Sequence, residues 1–200
     1  MDFENLPKGW LKKEDAKFLT ELAGSVESLS GDFLEIGSWY GRSSVVIGKE
    51  AQRQGSLLFC IDTWNKEGWK KISKKLPKNR RSFQWEKVTD DVYQIFCENV
   101  DKNGLSRVIN PIIGQSSEIR KKWSNPLRFI FIDGCHYYEF VKDDTRWRNF
   151  LVVNGIIAFH DYGGKSWTGV KKAVDETLDP DKHFRFFKQV GHLKSFRRIK

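Results

Sequence analysis

Long apolar runs are missing from this 200-residue chain. Apolar runs such as Phe129–Ile132 have the length of a strand, far below the roughly 20 apolar residues of a membrane helix. The opening residues, Met1-Asp2-Phe3-Glu4, are acidic and lack the apolar core of a secretory signal. Cysteine is scarce: Cys60, Cys97 and Cys135 are far apart and form no C-x-x-C pair. That excludes a disulfide scaffold and a zinc ribbon, and the expected setting is the reducing cytoplasm, with no membrane contact. No repeat and no low-complexity tract interrupts the chain, so its length predicts one domain with its own core. Two phosphate-binding patterns are absent as well, G-x-G-x-x-G and G-x-x-x-x-G-K-[ST].

Basic charge is abundant but unevenly placed. The chain carries 35 Lys plus Arg and 26 Asp plus Glu, a net of +9. Residues 65–88 hold nine basic and two acidic residues, and residues 182–200 hold seven basic and none acidic. These two segments account for +7 each, which leaves −5 for the remainder. The body is mildly acidic and the excess charge is confined to two stretches, either of which can be a solvated face or an anion-binding surface.

Apolar periodicity alternates between helix and strand. Ala16, Leu19, Leu22, Ala23 and Val26 share a helical face over 12–28, and 42–53, 89–103, 116–123, 138–151 and 167–178 also read as helices. Short apolar strands are predicted at 32–37, 57–62, 107–113, 128–133 and 155–161, with a terminal hairpin at 184–188 and 193–199 around Gly191. Strands apolar on both faces and separated by helices predict a doubly wound, mostly parallel sheet, its last strand antiparallel. Residues 63–88 break this rhythm. They hold Trp64, Trp69 and Trp85 among lysines and are expected to be an insertion or lid, since tryptophans in a bare linker would expose apolar area to no purpose.

In such a sheet, ligands bind at the carboxyl ends of the strands. The first strand ends in Glu35-Ile-Gly37-Ser-Trp-Tyr-Gly41-Arg-Ser43, a glycine loop opening a helix, and the second ends in Asp62, 25 residues after Gly37. Glycines allow a tight turn and a helix N-terminus offers unpaired N–H groups, while a carboxylate at the second strand end can accept both ribose hydroxyls. The glycines are four apart, and Glu35 sits where it would repel a phosphate and favour an amino group or a positive charge. The spacing disfavours a dinucleotide and an NAD-dependent oxidoreductase.

These segments together resemble the class I S-adenosylmethionine-dependent methyltransferases, and more narrowly the small-molecule O-methyltransferase branch, methyltransferase family 24. The resemblance covers about residues 30–178. It rests on Leu34-Glu-Ile-Gly-Ser-Trp-Tyr-Gly-Arg-Ser43, Ile61-Asp62, Gly114-Gln-Ser116, Phe131-Ile-Asp-Gly-Cys-His136, Gly155-Ile-Ile-Ala-Phe-His-Asp161 and Gly169-Val-Lys-Lys-Ala-Val-Asp175. It implies a single-domain, seven-stranded Rossmann-like sheet. It also implies that Glu35, Gly37, Ser38, Gly41 and Ser43 surround the methionine end of the cofactor, with Asp62, Thr63 and Trp64 at its ribose and adenine. Gln115 and Ser116 would flank the adenine and Asp133 the sulfonium, although the family often has an acidic residue where Gln115 stands.

Methyl transfer needs an aligned acceptor and a means of making its oxygen nucleophilic. His136, three residues past Asp133, is the expected catalytic base, with Asp133 and Asp161 at neighbouring strand ends. The two aspartates are a candidate site for Mg2+, Ca2+ or another divalent cation. His160 suits an oxygen-seeking ion poorly; a histidine-rich site would point to a transition metal, and its side chain pointing into the sheet is an equal expectation. His183 and His192 are expected at the surface or in packing, and the cysteines as buried thiols. The chain has Asp133-Gly-Cys-His136 where base N-methylating enzymes carry a [DN]-P-P-[YFW] loop, so the expected acceptor is a hydroxyl of a sugar, nucleotide-sugar or phenol, anionic if the basic segment faces it. The rival is a nucleic-acid partner: RNA binding or RNA methylation through 65–88, where basic residues alternate with tryptophan. Homo-oligomerisation is left open.

Overall fold

The computed structural model describes residues 2–64, 74, 91–164 and 167–200. The basic insertion expected at 63–88 therefore lies, apart from its first two residues and Lys74, outside the described residues.

Seven strands form one sheet: β1 (Asp32–Ile36), β2 (Leu58–Asp62), β3 (Ile109–Ile113), β4 (Leu127–Ile132), β5 (Leu151–Phe159), β6 (Phe184–Val190) and β7 (Leu193–Arg198). Their order is β3-β2-β1-β4-β5-β7-β6. The first five run parallel, and β7 lies antiparallel between β5 and β6. The chain order reverses between β1 and β4, which opens a crevice at their carboxyl ends.

The predicted alternation appears in the packing. Phe129 and Phe131 of β4 face one core with α1 (Lys13–Gly24), α2 (Arg42–Arg53) and α3 (Val92–Lys102). Ile130 and Ile132 face the other, with α5 (Tyr138–Asp144) and α6 (Thr168–Thr177), while the short α4 (Ser116–Arg120) follows β3. All six residues of β4 are buried, as a central parallel strand covered on both faces requires.

Three boundaries differ most from the sequence reading. The first helix stops at Gly24 instead of reaching residue 28. The helix expected over 138–151 ends at Asp144 and continues as a short 3-10 helix, Thr145–Phe150. Strand β5 starts at Leu151 rather than 155, because Leu151 pairs with Leu127 across an irregular register. Asn154 takes a left-handed φ of 68°, which asparagine tolerates. A Cβ on Gly155 would meet the Arg128 carbonyl at 2.9 Å, so the Asn-Gly pair is what lets the strand bend and continue. No helix among the described residues is long and apolar enough to cross a membrane.

Candidate active site

One extra backbone hydrogen bond continues the ladder at each strand mouth. Gly37 N–H donates to the Ile61 carbonyl (2.9 Å), Asp133 N–H to Ile36 (2.9 Å) and His160 N–H to Ile132 (3.1 Å). The loops therefore leave the sheet in fixed directions. Gly37, at φ 90°, packs so closely on the β4 loop that a Cβ would lie 2.4 Å from the Asp133 carbonyl oxygen. This approach, which only glycine permits, places the first glycine loop against the residues that carry the aspartate and histidine.

A cavity of about 1260 Å3 opens there. Gly37, Ser38, Ser43, Asp62 and Thr63 line one side; Gln115, Ser116, Asp133, His136 and Asp161 line the other. Ten of the sequence-predicted residues thus meet in one space. Three do not. Glu35 is fully buried beneath the loop, where it accepts hydrogen bonds from Ser38 Oγ (2.8 Å) and from Ser44 Oγ, with Cys60 Sγ at 3.3 Å. Burial pushes its carboxyl up against those bonds, and its Oε1 has no partner among the described residues. Gly41 caps α2 in a left-handed conformation instead of facing the cavity.

Trp64 is the clearest correction. Its side chain was expected on the cofactor, but it is 4% exposed and packs on Tyr93 (5.3 Å) and Phe96 (4.6 Å) in the core. Its Nε1–H donates to the Trp39 carbonyl (2.8 Å). Both tryptophans sit at positive φ, 48° for Trp39 and 42° for Trp64, a strained state for bulky side chains. Asp62 holds both: its Oδ2 accepts from Trp39 N–H (3.0 Å) and its Oδ1 from Trp64 N–H (2.9 Å). Burial raises the Asp62 carboxyl, and these N–H groups oppose that rise. The Ser38 and Thr63 N–H groups oppose it too, and Asp62 lines the cavity.

The other pole of the cavity is a chain of acids and imidazoles. His136 Nε2 lies 3.0 Å from Asp161 Oδ2 and 3.3 Å from Asp133 Oδ1. His160, 7% exposed, sets Nδ1 at 3.2 Å from Asp133 Oδ1 and 3.6 Å from Asp161 Oδ2, and Nε2 at 3.6 Å from Asp15 Oδ2. Burial opposes the His160 imidazolium, but the field of Asp133 together with Asp15 and Asp161 outweighs it and the pKa rises far above the usual value. Burial likewise opposes the Asp133 carboxylate, and His160 and His136 overcome it, holding the group below its usual range. His160 therefore joins the aspartates, where the sequence left open a side chain turned into the sheet. One ligand atom each from Asp133, His160 and Asp161 lies within 4.8 Å of the others.

Several residues at this site were not foreseen. Asp15 of α1 and Asp144 of α5 are buried acids on the cavity wall, and Trp10, Trp39 and Trp167 also line it. Asp15 stands four residues before Leu19 and seven before Leu22, on the apolar stripe of its helix; an acid on a buried stripe was the available signal. Arg42 straps the N-terminal segment over the cavity through the Leu11 (2.7 Å) and Pro7 (2.7 Å) carbonyls. Trp167 packs on the His136 ring (4.7 Å), and glycine at 169 is required because a Cβ would lie 2.6 Å from the Tyr138 nitrogen. Of the cysteines only Cys60 is fully buried; Cys97 and Cys135 are half-buried.

The donor set fits S-adenosylmethionine. The Asp62 carboxylate lines one wall, the Gln115 amide and the Ser116 hydroxyl line the other, and Asp133 adds negative charge suited to a cationic ligand. A family model described as a methyltransferase domain matches residues 34–162. Among solved structures, the chain is similar to the O-methyltransferase NovP, at 15% identity and TM-score 0.78, over 97% of this chain and 84% of that one. It is similar to an O-methyltransferase from Bacillus cereus in complex with SAH, at 14% identity and TM-score 0.66, over 98% and 86%. CalS11, a TDP-rhamnose 3'-O-methyltransferase, matches at 15% identity and TM-score 0.63, over 94% and 81%. At these identities the structures speak for the fold, and the family rests on the domain match, which spans more than half of the chain. The chain belongs to this methyltransferase domain family and is a class I S-adenosylmethionine-dependent methyltransferase.

Proposed function

We propose that the enzyme methylates a hydroxyl oxygen of a small molecule, a sugar, nucleotide-sugar or phenol, with a divalent cation at Asp133 and Asp161. The observation that carries this reading is the position of His136 between those two aspartates, in the same cavity as Asp62 and Gln115. Bound S-adenosylmethionine supplies an electrophilic methyl group on a cationic sulfur. Asp62 orients its ribose, with Thr63 beside it. Gln115 and Ser116 bound the adenine side, and Gly37, Ser38 and Ser43 the methionine side.

His136 takes the proton of the acceptor hydroxyl as the oxygen attacks, on the ring nitrogen left free when Nε2–H donates to Asp161 and Asp133. The imidazolium formed then faces Asp161 and Asp133, which stabilise it. A divalent cation at the aspartates would polarise the acceptor oxygen and lower its pKa. The donor set fits one: two carboxylates and an imidazole within 4.8 Å, with negative charge in surplus. Trp10 and Trp39, 5.5 Å apart, offer an aromatic face to a sugar or phenol, and Lys8, Lys12 and Lys121 on the cavity lining suit an anionic acceptor. The names of NovP and CalS11 agree with an oxygen acceptor. The whole chain is read as one domain.

The test is transfer of labelled methyl from S-adenosylmethionine into nucleotide-sugars, phenols and RNA. Product in the first two groups supports the reading, and product in RNA alone overturns it. Calorimetry should show S-adenosylmethionine binding and no NAD binding, with binding lost in Asp62→Ala. Undiminished affinity in that variant would remove Asp62 from the ribose site.

A further inference from the structure

His160 occupies the third position of a donor set whose other members are carboxylates, and its two ring nitrogens have different surroundings. Nδ1 faces the cavity cluster, at 3.2 Å from Asp133 and 3.6 Å from Asp161. These spacings are close to the ~3 Å separating adjacent donors bound about 2.1 Å from one ion. Nε2 points the opposite way, at α1, where Asp15 meets it at 3.6 Å. Asp15 is itself 5% exposed and is carried on a helix whose other buried residues are apolar. The His160 ring faces the carboxylate buried there.

We propose that Asp15 is a positioning residue that holds His160 with Nδ1 toward the cluster, so that Asp133, His160 and Asp161 select a transition metal rather than Mg2+. The inference rests on the divalent-cation reading above and adds its chemistry. Mg2+ prefers an all-oxygen shell, whereas an imidazole nitrogen raises affinity for Mn2+, Co2+ and Zn2+. A ligating histidine whose second N–H faces a carboxylate is fixed in one tautomer and made more basic, which strengthens its bond to the metal. A third carboxylate in place of His160 would have served Mg2+ without any need for an acid on α1. The buried pair of Asp15 with His160 is explained as a unit by a nitrogen-ligated ion.

The test is calorimetric titration of the full-length protein with Co2+ and with Mg2+, together with the visible absorption spectrum of the Co2+ form. Asp15→Asn, which keeps the shape, and Asp15→Ala should weaken Co2+ about 10–100-fold while changing Mg2+ affinity far less. His160→Asp should narrow the Co2+ to Mg2+ affinity ratio at least about tenfold and shift the Co2+ spectrum toward that of an all-oxygen site. His160→Asn serves the same purpose if the added charge impairs folding, and S-adenosylmethionine affinity reports that each variant is folded. Unchanged Co2+ affinity and spectrum in the His160 variants would remove His160 as a ligand. Unchanged affinity in both Asp15 variants would remove Asp15 as its positioning residue. Wild-type protein that binds S-adenosylmethionine but neither ion would instead overturn the cation reading on which the inference rests.

Discussion

The two ends of the parallel sheet handle buried charge in opposite ways. At the amino ends, Arg128 is 6% exposed and its guanidinium is satisfied by neutral oxygens. Nε donates to the Gly31 carbonyl (2.6 Å), Nη1 to Gln54 Oε1 (3.2 Å) and the Glu27 carbonyl (3.3 Å), and Nη2 to Ser56 Oγ. Burial lowers its pKa, yet an arginine so displaced remains charged at any physiological pH. At the carboxyl ends, Asp15, Asp133 and Asp161 surround two histidines, and Trp39, Trp64 and Asp161 all hold left-handed backbones. One end is closed and internally satisfied. The other stores strain and negative charge that a cationic ligand would relieve, which is the physical signature of a working site.

The contrast can be broken most sharply at His136. His136→Ala should lower kcat about 10^2–10^4-fold, the usual contribution of a general base, with S-adenosylmethionine affinity nearly intact. Steady-state kinetics and calorimetry measure the two separately. A variant that loses cofactor affinity instead would make His136 part of the cofactor wall. At the opposite end, Arg128→Met should cost ~2–4 kcal/mol of stability, because it leaves the Gly31 and Glu27 carbonyls without their buried donor. Its kcat should be unchanged at a temperature where it stays folded. Urea unfolding with no loss of stability would show that this end is not held as its hydrogen bonds imply.

The same contrast explains what could be read in advance. Strand mouths were legible because apolar runs stop abruptly at charged residues, as Ile61-Asp62 and Ile132-Asp133 do. Helix α2 was bounded to the residue by Gly41 before it and the polar run after it. The environment of Trp64 was not legible, since a tryptophan after a strand reads alike whether it stacks on a ligand or turns into the core. Its fate is decided by Tyr93 and Phe96 of α3, roughly thirty residues away. Asp15 carries no local motif, and its role depends on α1 bringing it to His160, which follows β5. The 3-10 helix after Asp144 followed from a strand pairing, Leu151 with Leu127, that no local pattern announces.

Asp144 offers the finest test, because it is an acid at the site end with no cation close enough to compensate it fully. It is 5% exposed, and burial pushes its carboxyl up to about 7 from a usual 3.8, with Ser116 Oγ–H and Arg120 opposing and Asp143 reinforcing. Between those two pH values the folded protein holds a proton that the unfolded chain has released. Unfolding then loses a proton, so stability contributed by this group falls as pH rises from about 4 to 7 and is level above. Asp144→Asn keeps an oxygen to accept the Ser116 hydrogen bond and removes the charge. The variant should therefore be little changed near pH 4 and more stable than wild type at pH 8, by ~1–3 kcal/mol at about 1.4 kcal/mol per pKa unit after partial relaxation. Thermal unfolding at the two pH values measures the difference. An equal shift at both would mean that Asp144 is ionised throughout, its charge matched by Arg120, and that this wall resembles the satisfied amino end more than the strained carboxyl end.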